Sequence, residues 1–115
     1  MKVTITGAAG FIGQKLARAL LDGRPLIGAD GASQAVSQLI LADVVAPPPA
    51  LANDDRVTVV TGDIAEPDFL AAILPADVAS VFHMAAVVSA GAEADFDLGM
   101  AVNLTATQRL SLIHI

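Results

Sequence analysis

Apolar positions along this chain alternate between two periods. Val3 and Ile5, followed by Thr4 and Thr6, form a β-branched run that predicts a buried strand over Lys2–Thr6. Past Gly10 the spacing changes. Phe11, Ile12, Leu16, Ala19 and Leu20 predict a helix over Phe11–Leu21, closed by Asp22 and Gly23. Gln38–Asp43 predicts a second strand, and residues 56–61, with Val57, Val59 and Val60, a third. Pro67 suits a first helical turn ahead of the stripe Phe69, Leu70, Ile73 and Leu74. Residues 78–82 predict a fourth strand. A last helix pattern runs from about Ala92 through Phe96, Met100, Leu104 and Thr107 to Leu110.

Between these elements, Pro47-Pro48-Pro49 forbids regular structure and marks a surface connection. Residues 23–37 read as an inserted loop or hairpin. Strands joined through helical crossovers imply a parallel sheet with helices on its faces, so the fold class is α/β. At 115 residues the chain is one domain at most.

Composition narrows the function. The core must be built from Ala, Val, Leu and Ile, because hydrophobic residues make up 55% with four Phe and neither Tyr nor Trp. A net charge of −6 without any Lys/Arg cluster argues against nucleic acid or an anionic membrane surface as partner. The absence of cysteine excludes disulfides, thiolate catalysis and Cys-based metal sites. His83 and His114 are the only histidines, and no carboxylate cluster has ligand spacing, so no metal site is expected. The first strand opens at Lys2, which leaves no room for a signal peptide, and no apolar run reaches membrane-spanning length. A soluble, cytoplasmic domain is expected.

The chemistry begins where the first strand ends. Gly7, Gly10 and Gly13 stand three apart between a strand and a helix, the layout that sets backbone N–H groups and a helix N-terminus against a phosphate. Gly7 allows the tight exit, Gly10 a close approach to a pyrophosphate, and Gly13 the packing of helix on sheet. Asp43, ending the second strand, is placed to accept from the adenosine ribose hydroxyls and to repel a 2′-phosphate, which favours NAD over NADP. Asp30 is the rival, lying nearer the usual spacing of about 20 residues beyond the fingerprint. Gly28 weakens any strand leading to it, so Asp43 is favoured. Asp63 either organises the turn before Pro67 or meets the adenine amine, with Ile64 packed on the ring.

Thr6-Gly7-Ala8-Ala9-Gly10-Phe11-Ile12-Gly13 resembles the TGxxGxxG signature of the extended short-chain dehydrogenase/reductases, the NAD-dependent epimerase/dehydratase group. Gly62-Asp63-Ile64 is similar to that group's adenine-contacting Asp-hydrophobic pair. Val81-Phe82-His83-Met84-Ala85-Ala86 is similar to its H-x-A-A segment. Asn103-Leu104-Thr105-Ala106-Thr107 is similar to its N-V-x-G-T segment, with Ala106 where Gly is usual. Within the group, Leu41-Ala42-Asp43-Val44-Val45-Ala46-Pro47 looks most like the erythronate dehydrogenases, which oxidise a four-carbon sugar acid.

The resemblance implies a Rossmann-type doubly wound parallel sheet, truncated to about four strands. It implies that Phe11 and Ile12 supply backbone at the pyrophosphate while their side chains pack inward. Met84, Ala85 and Ala86 would let the phosphate and nicotinamide ribose approach the backbone, and Asn103 would hydrogen-bond to backbone near the cofactor. His83 is not the acid/base of that family and is expected to be structural; a lone Ser89 is thin support for a substrate contact. A small-molecule sugar or sugar-acid substrate and a homodimer, formed through helices that include the last one here, are also implied.

The family's proton transfer uses a Tyr and a following Lys. This sequence contains no Tyr, and Lys2 and Lys15 fall in the first strand and helix, so no catalytic residue is assigned. Residues 1–109 read as the NAD(P)-binding domain in its N-terminal part. Residues 110–115 depart from the family's continuation and read as a non-native tail. The expected function is therefore the NAD-binding half of a sugar or sugar-acid oxidoreductase or epimerase. The alternative is a non-catalytic NAD(P)-binding sensor. A four-strand sheet with a raw edge leaves apolar surface uncovered, so the chain alone is expected to bind NAD weakly or not at all.

Overall fold

The computed structural model describes residues 1–112. In chain order the elements are β1 (Lys2–Thr6), α1 (Phe11–Leu21), β2 (Leu26–Ile27), β3 (Ser33–Gln34), β4 (Gln38–Asp43) and α2 (Pro49–Ala52). There follow β5 (Val57–Thr61), α3 (Pro67–Ile73), β6 (Val78–His83), α4 (Ser89–Ala94), α5 (Phe96–Gly99), a π-helical stretch Met100–Ala106 and α6 (Thr107–Leu112). The main sheet is parallel, in the order β5-β4-β1-β6. Ile5 of β1 lies between Leu41 of β4 and Phe82 of β6. The chain moves from β1 to β4 and β5 on one side, then returns past β1 to β6 on the other. That reversal opens a crevice beyond the carboxyl ends of the strands, where ligands settle in open α/β sheets.

Strand periodicity sorts the core into two layers. Val3, Ile5, Leu39 and Leu41 pack with Ala17 and Leu20 of α1 and Leu51 of α2. Ile40 and Ala42 point the other way, against Leu70 and Ile73 of α3 and Val102, Ala106 and Leu110 of the last helical run. Each fully buried Leu or Ile contributes roughly 1.5–3 kcal/mol. Thr4 is fully buried on that second face, and its hydroxyl donates to the Ile73 carbonyl at 2.7 Å. One bond thus satisfies a buried hydroxyl and a carbonyl at the end of α3.

Two expectations change, and one pair of alternatives is resolved. The last helix is not continuous: Asp95 is extended, its carboxylate accepts from Leu98 N–H at 3.1 Å, and a new helix starts there. Apolar spacing carries across this break because the second start preserves the stripe. The proline run is not wholly irregular, since Pro49 opens the single turn of α2 and Leu51 is buried beneath it. Proline's fixed φ is preorganised for a first helical position. Residues 23–37 form the hairpin β2–β3, pairing Leu26 with Gln34 outside the main sheet. Leu110 packs into the second core layer, while residues 113–115 of the expected tail lie outside the described residues.

Candidate cofactor cleft

The chain leaves β1 at Gly7 with φ +68°. A Cβ there would lie 2.8 Å from Ala85 N and from the Met84 carbonyl, so glycine is required both for conformation and for room. Gly13 has a different neighbour from the one anticipated. A Cβ on it would run into the Gly7 carbonyl oxygen and approach Ala8 Cα at 2.9 Å, so the first turn of α1 packs on the glycine turn itself. Gly10 N–H donates to Gly7 O at 3.1 Å, and Gln14 N–H makes the first bond of α1, to Gly10 O, at 2.9 Å. The N–H groups of Phe11, Ile12 and Gly13 precede any intrahelical partner, and Gly10 has no side chain to cap them. Such a helix start offers three donors and a partial positive charge to an anion.

The side chains of Phe11 and Ile12 do not pack inward. They are 72% and 61% exposed, and Lys15 Nζ stands 4.5 Å from the Phe11 ring centroid. The face of α1 that meets the core carries Gly13, Ala17 and Leu20, which turns positions 11 and 12 away.

Asp43 ends β4 beside this turn. Its Oδ2 accepts from Ala9 N–H at 2.9 Å and its Oδ1 from Val44 N–H at 2.7 Å. Asp30 sits in the β2–β3 turn, accepting from Ala32 N–H at 3.0 Å. Asp30 is not among the residues that line the cleft. Asp63 organises its turn, its carboxylate accepting from Ala65 N–H at 2.9 Å, and it lines the cleft with buried Ile64.

The segment after β6 forms the facing wall. Thr6 Oγ1 accepts from Met84 N–H at 3.0 Å and Ala85 N–H at 3.1 Å, and its own proton goes to His83 Nδ1 at 2.8 Å. His83 Nε2 then donates to Thr107 Oγ1 at 2.9 Å, and the Thr107 hydroxyl donates to Asn103 O at 2.9 Å. The neutral Nε2–H tautomer satisfies this whole chain. Burial holds the His83 pKa below its usual value, which favours that neutral form. His83 is thus a brace between strand and helix. Asn103 does not line the cleft. Its amide clasps Val87, accepting from Val87 N–H at 2.8 Å and donating to Val87 O at 2.9 Å, and Val87 lines the cleft in turn.

The cleft so enclosed has a volume of about 430 Å³ and brings together Gly7, Gly10, Asp43, Asp63, Ile64 and the Met84–Ala86 backbone. Phe69, Leu98 and Val102 line it as well, unforeseen from sequence. Phe69 reads as part of a core stripe, Leu98 and Val102 fall off the stripe read for the last helix, and the ring of Phe69 over Gly62 is a contact between elements. A glycine turn leading into a helix start, a carboxylate at the next strand end and an apolar slot are what an adenosine diphosphate group needs. Lys2 lies at the far end of β1, paired with Asp77 at 2.8 Å. Among the described residues no group of three or more His, Cys, Asp or Glu could hold a metal ion. Likewise, no described helix is long and apolar enough to cross a membrane.

Parallel strands in this order, with a glycine turn at the switch point, define a Rossmann-type α/β domain. The NAD dependent epimerase/dehydratase family profile matches residues 3–111, and the chain belongs to that family. It is 53% identical over 110 residues to a D-erythronate dehydrogenase from Cupriavidus necator, covering 96% of this chain and 33% of that protein. Among solved structures it is similar to a nucleoside-diphosphate-sugar epimerase from Agrobacterium tumefaciens, with TM-score 0.78, 35% identity, and 96% of this chain and 31% of that one covered. It also resembles a dTDP-glucose 4,6-dehydratase from Streptomyces venezuelae with NAD bound, with TM-score 0.73, 32% identity, and coverage of 96% and 34%. The chain spans about a third of the length of the curated relatives it matches.

Proposed function

We propose that this chain is the NAD-binding part of an oxidoreductase acting on a sugar or sugar acid, with a D-erythronate dehydrogenase as the finer reading. One observation carries it: Gly7 and Gly10, the turn that leads into α1, line a single cleft at the switch point together with Asp43. Phe11, Ile12 and Gly13 would hold the diphosphate through main-chain N–H groups. Asp43 would accept from the adenosine ribose, Asp63 from the adenine amine, and Ile64 would pack against the ring. The Met84–Ala86 backbone would lie along the second phosphate and ribose. Val44 and Val45, both exposed beside Asp43, bring no cation for a 2′-phosphate, which supports NAD over NADP. When bound, NAD supplies the hydride acceptor. Positioning it is this chain's share of the work, and a proton-transferring Tyr and Lys belong to sequence beyond these residues.

Phe96, Met100 and Leu104 are 71%, 40% and 54% exposed at four-residue spacing, an apolar stripe that supports a homodimer through this helix. The decisive experiment uses the full-length protein. Calorimetric titration should give micromolar affinity for NAD and at least about tenfold weaker binding of NADP, a difference of about 1.4 kcal/mol. D-erythronate with NAD should then produce NADH. Binding without turnover of any sugar acid or nucleotide sugar would favour the sensor reading, and a nucleotide located outside the cleft would overturn both.

A further inference from the structure

The carboxylate assigned above to the ribose is already engaged on its inner side. Asp43 Oδ2 accepts from Ala9 N–H at 2.9 Å, and Ala9 is the residue just before the start of α1 at Gly10. The neighbouring Ala8 N–H donates to Ala42 O at 3.2 Å. Two bonds therefore tie the glycine turn to the end of β4, one main-chain and one from the Asp43 side chain. On the other side of the same residue, Gln14 Nε2 donates to Ala9 O at 2.7 Å. Ala9 has no polar side chain with which to fix itself, so its peptide groups are oriented by Asp43 and Gln14.

We propose that Asp43 is a positioning residue for the diphosphate-binding turn, with Gln14 as its counterpart on the carbonyl side. Ribose recognition and diphosphate grip are then one coupled device. The inference rests on the cleft being a dinucleotide site, as argued under the proposed function. Each carboxylate oxygen has two lone pairs, so accepting from Ala9 and Val44 leaves one on each for a vicinal diol. Removing the carboxylate to admit a 2′-phosphate would release the turn at the same time. A ligand with no ribose hydroxyls should therefore still sense Asp43.

The test titrates the full-length protein with ADP and with 2′,3′-dideoxy-ADP. Wild type should bind both. Asp43→Ala should weaken dideoxy-ADP about tenfold, the scale of one hydrogen bond to a charged group, and weaken ADP further. Asp43→Asn, which keeps a carbonyl oxygen for Ala9 N–H, should recover part of the dideoxy-ADP loss. Gln14→Ala, a substitution α1 tolerates, should weaken dideoxy-ADP about threefold, as expected of one neutral hydrogen bond. In ligand-free wild type, the Ala9 amide should be protected from hydrogen exchange, a readout that needs no variant to fold. Dideoxy-ADP affinity left unchanged by Asp43→Ala while ADP affinity falls would overturn the inference alone. So would an unprotected Ala9 amide. A wild type that binds neither nucleotide would remove the dinucleotide reading of the cleft, and the inference with it.

Discussion

Two segments wall the cleft, and they are held by different means. The turn after β1 is shaped by glycine: Gly7 at φ +68° and Gly13 packed against it leave the chain one path, which backbone bonds and Asp43 then fasten. The segment after β6 carries ordinary residues and is held by side chains reaching from elsewhere: Thr6 from β1, His83 from its own strand, Asn103 from the π-helical stretch. The difference is one of information. A glycine turn is specified within a dozen residues, whereas the facing wall depends on groups separated by as many as 79 positions in sequence. One wall takes its shape locally and is then fastened from β4, whereas the other is assembled from distant groups throughout.

The largest effect should come from joining the two walls by force. Gly7→Ala places a methyl against Met84 and Ala85 in a left-handed conformation, and we expect a stability loss of about 3 kcal/mol or more with loss of nucleotide binding. Gly31→Ala is the control, with φ +79° and nothing within 4 Å, and should cost only about 1 kcal/mol with binding intact. Thermal unfolding of the two variants separates steric from conformational cost. Equal losses would mean that the walls are not in contact.

Thr6→Val comes next. It keeps the shape but removes the shared partner of Met84 N–H, Ala85 N–H and His83, and we expect a loss of about 2 kcal/mol in denaturant unfolding. Amide exchange should then rise at Ala85, while Met84 N–H keeps its bond to the Thr6 carbonyl at 3.2 Å and Ala9 stays protected, showing that the walls are fastened independently. Asn103→Ala should cost about 1 kcal/mol, because the two lost bonds lie at the surface. Faster exchange confined to Val87 and its neighbours would locate the effect.

The smallest effect is the pH dependence of the assembled wall. His83 has its pKa lowered by burial, so the unfolded chain binds its proton more readily than the folded one. The His83 contribution is full above the unfolded value near 6.5 and is lost as pH falls below it towards the lower folded value. Protonation also sets an Nδ1 proton against the Thr6 hydroxyl proton. His83→Gln should flatten the acid limb of a stability–pH curve below about pH 6.5. An unchanged limb would show that other groups carry it.

The legible part of the molecule was whatever a short stretch specifies by itself. Period-two runs placed the four main strands, and the change of period after Gly10 placed α1. The glycine spacing located the turn that faces the cleft. Asp43 could be preferred to Asp30 because Gln38–Asp43 is a long, strongly β-forming run and the stretch before it is not. The outward turn of Phe11 and Ile12 was not legible, because a helix's apolar residues do not say which of them meets the core. Nor was the break at Asp95, where a capping carboxylate competes with an apolar stripe that continues on both sides.

What the sequence by itself determined is therefore the four main strands and α1, their order and the chemistry of the glycine turn, since propensity, periodicity and φ > 0 are properties of neighbouring residues. What only the tertiary structure decided is which groups meet. The strand order β5-β4-β1-β6 brings Asp43 to Ala9, Thr6 to Ala85 and Asn103 to Val87. Hydrogen bonds form over about 3 Å, and distance of that kind is set by packing between layers rather than by position along the chain.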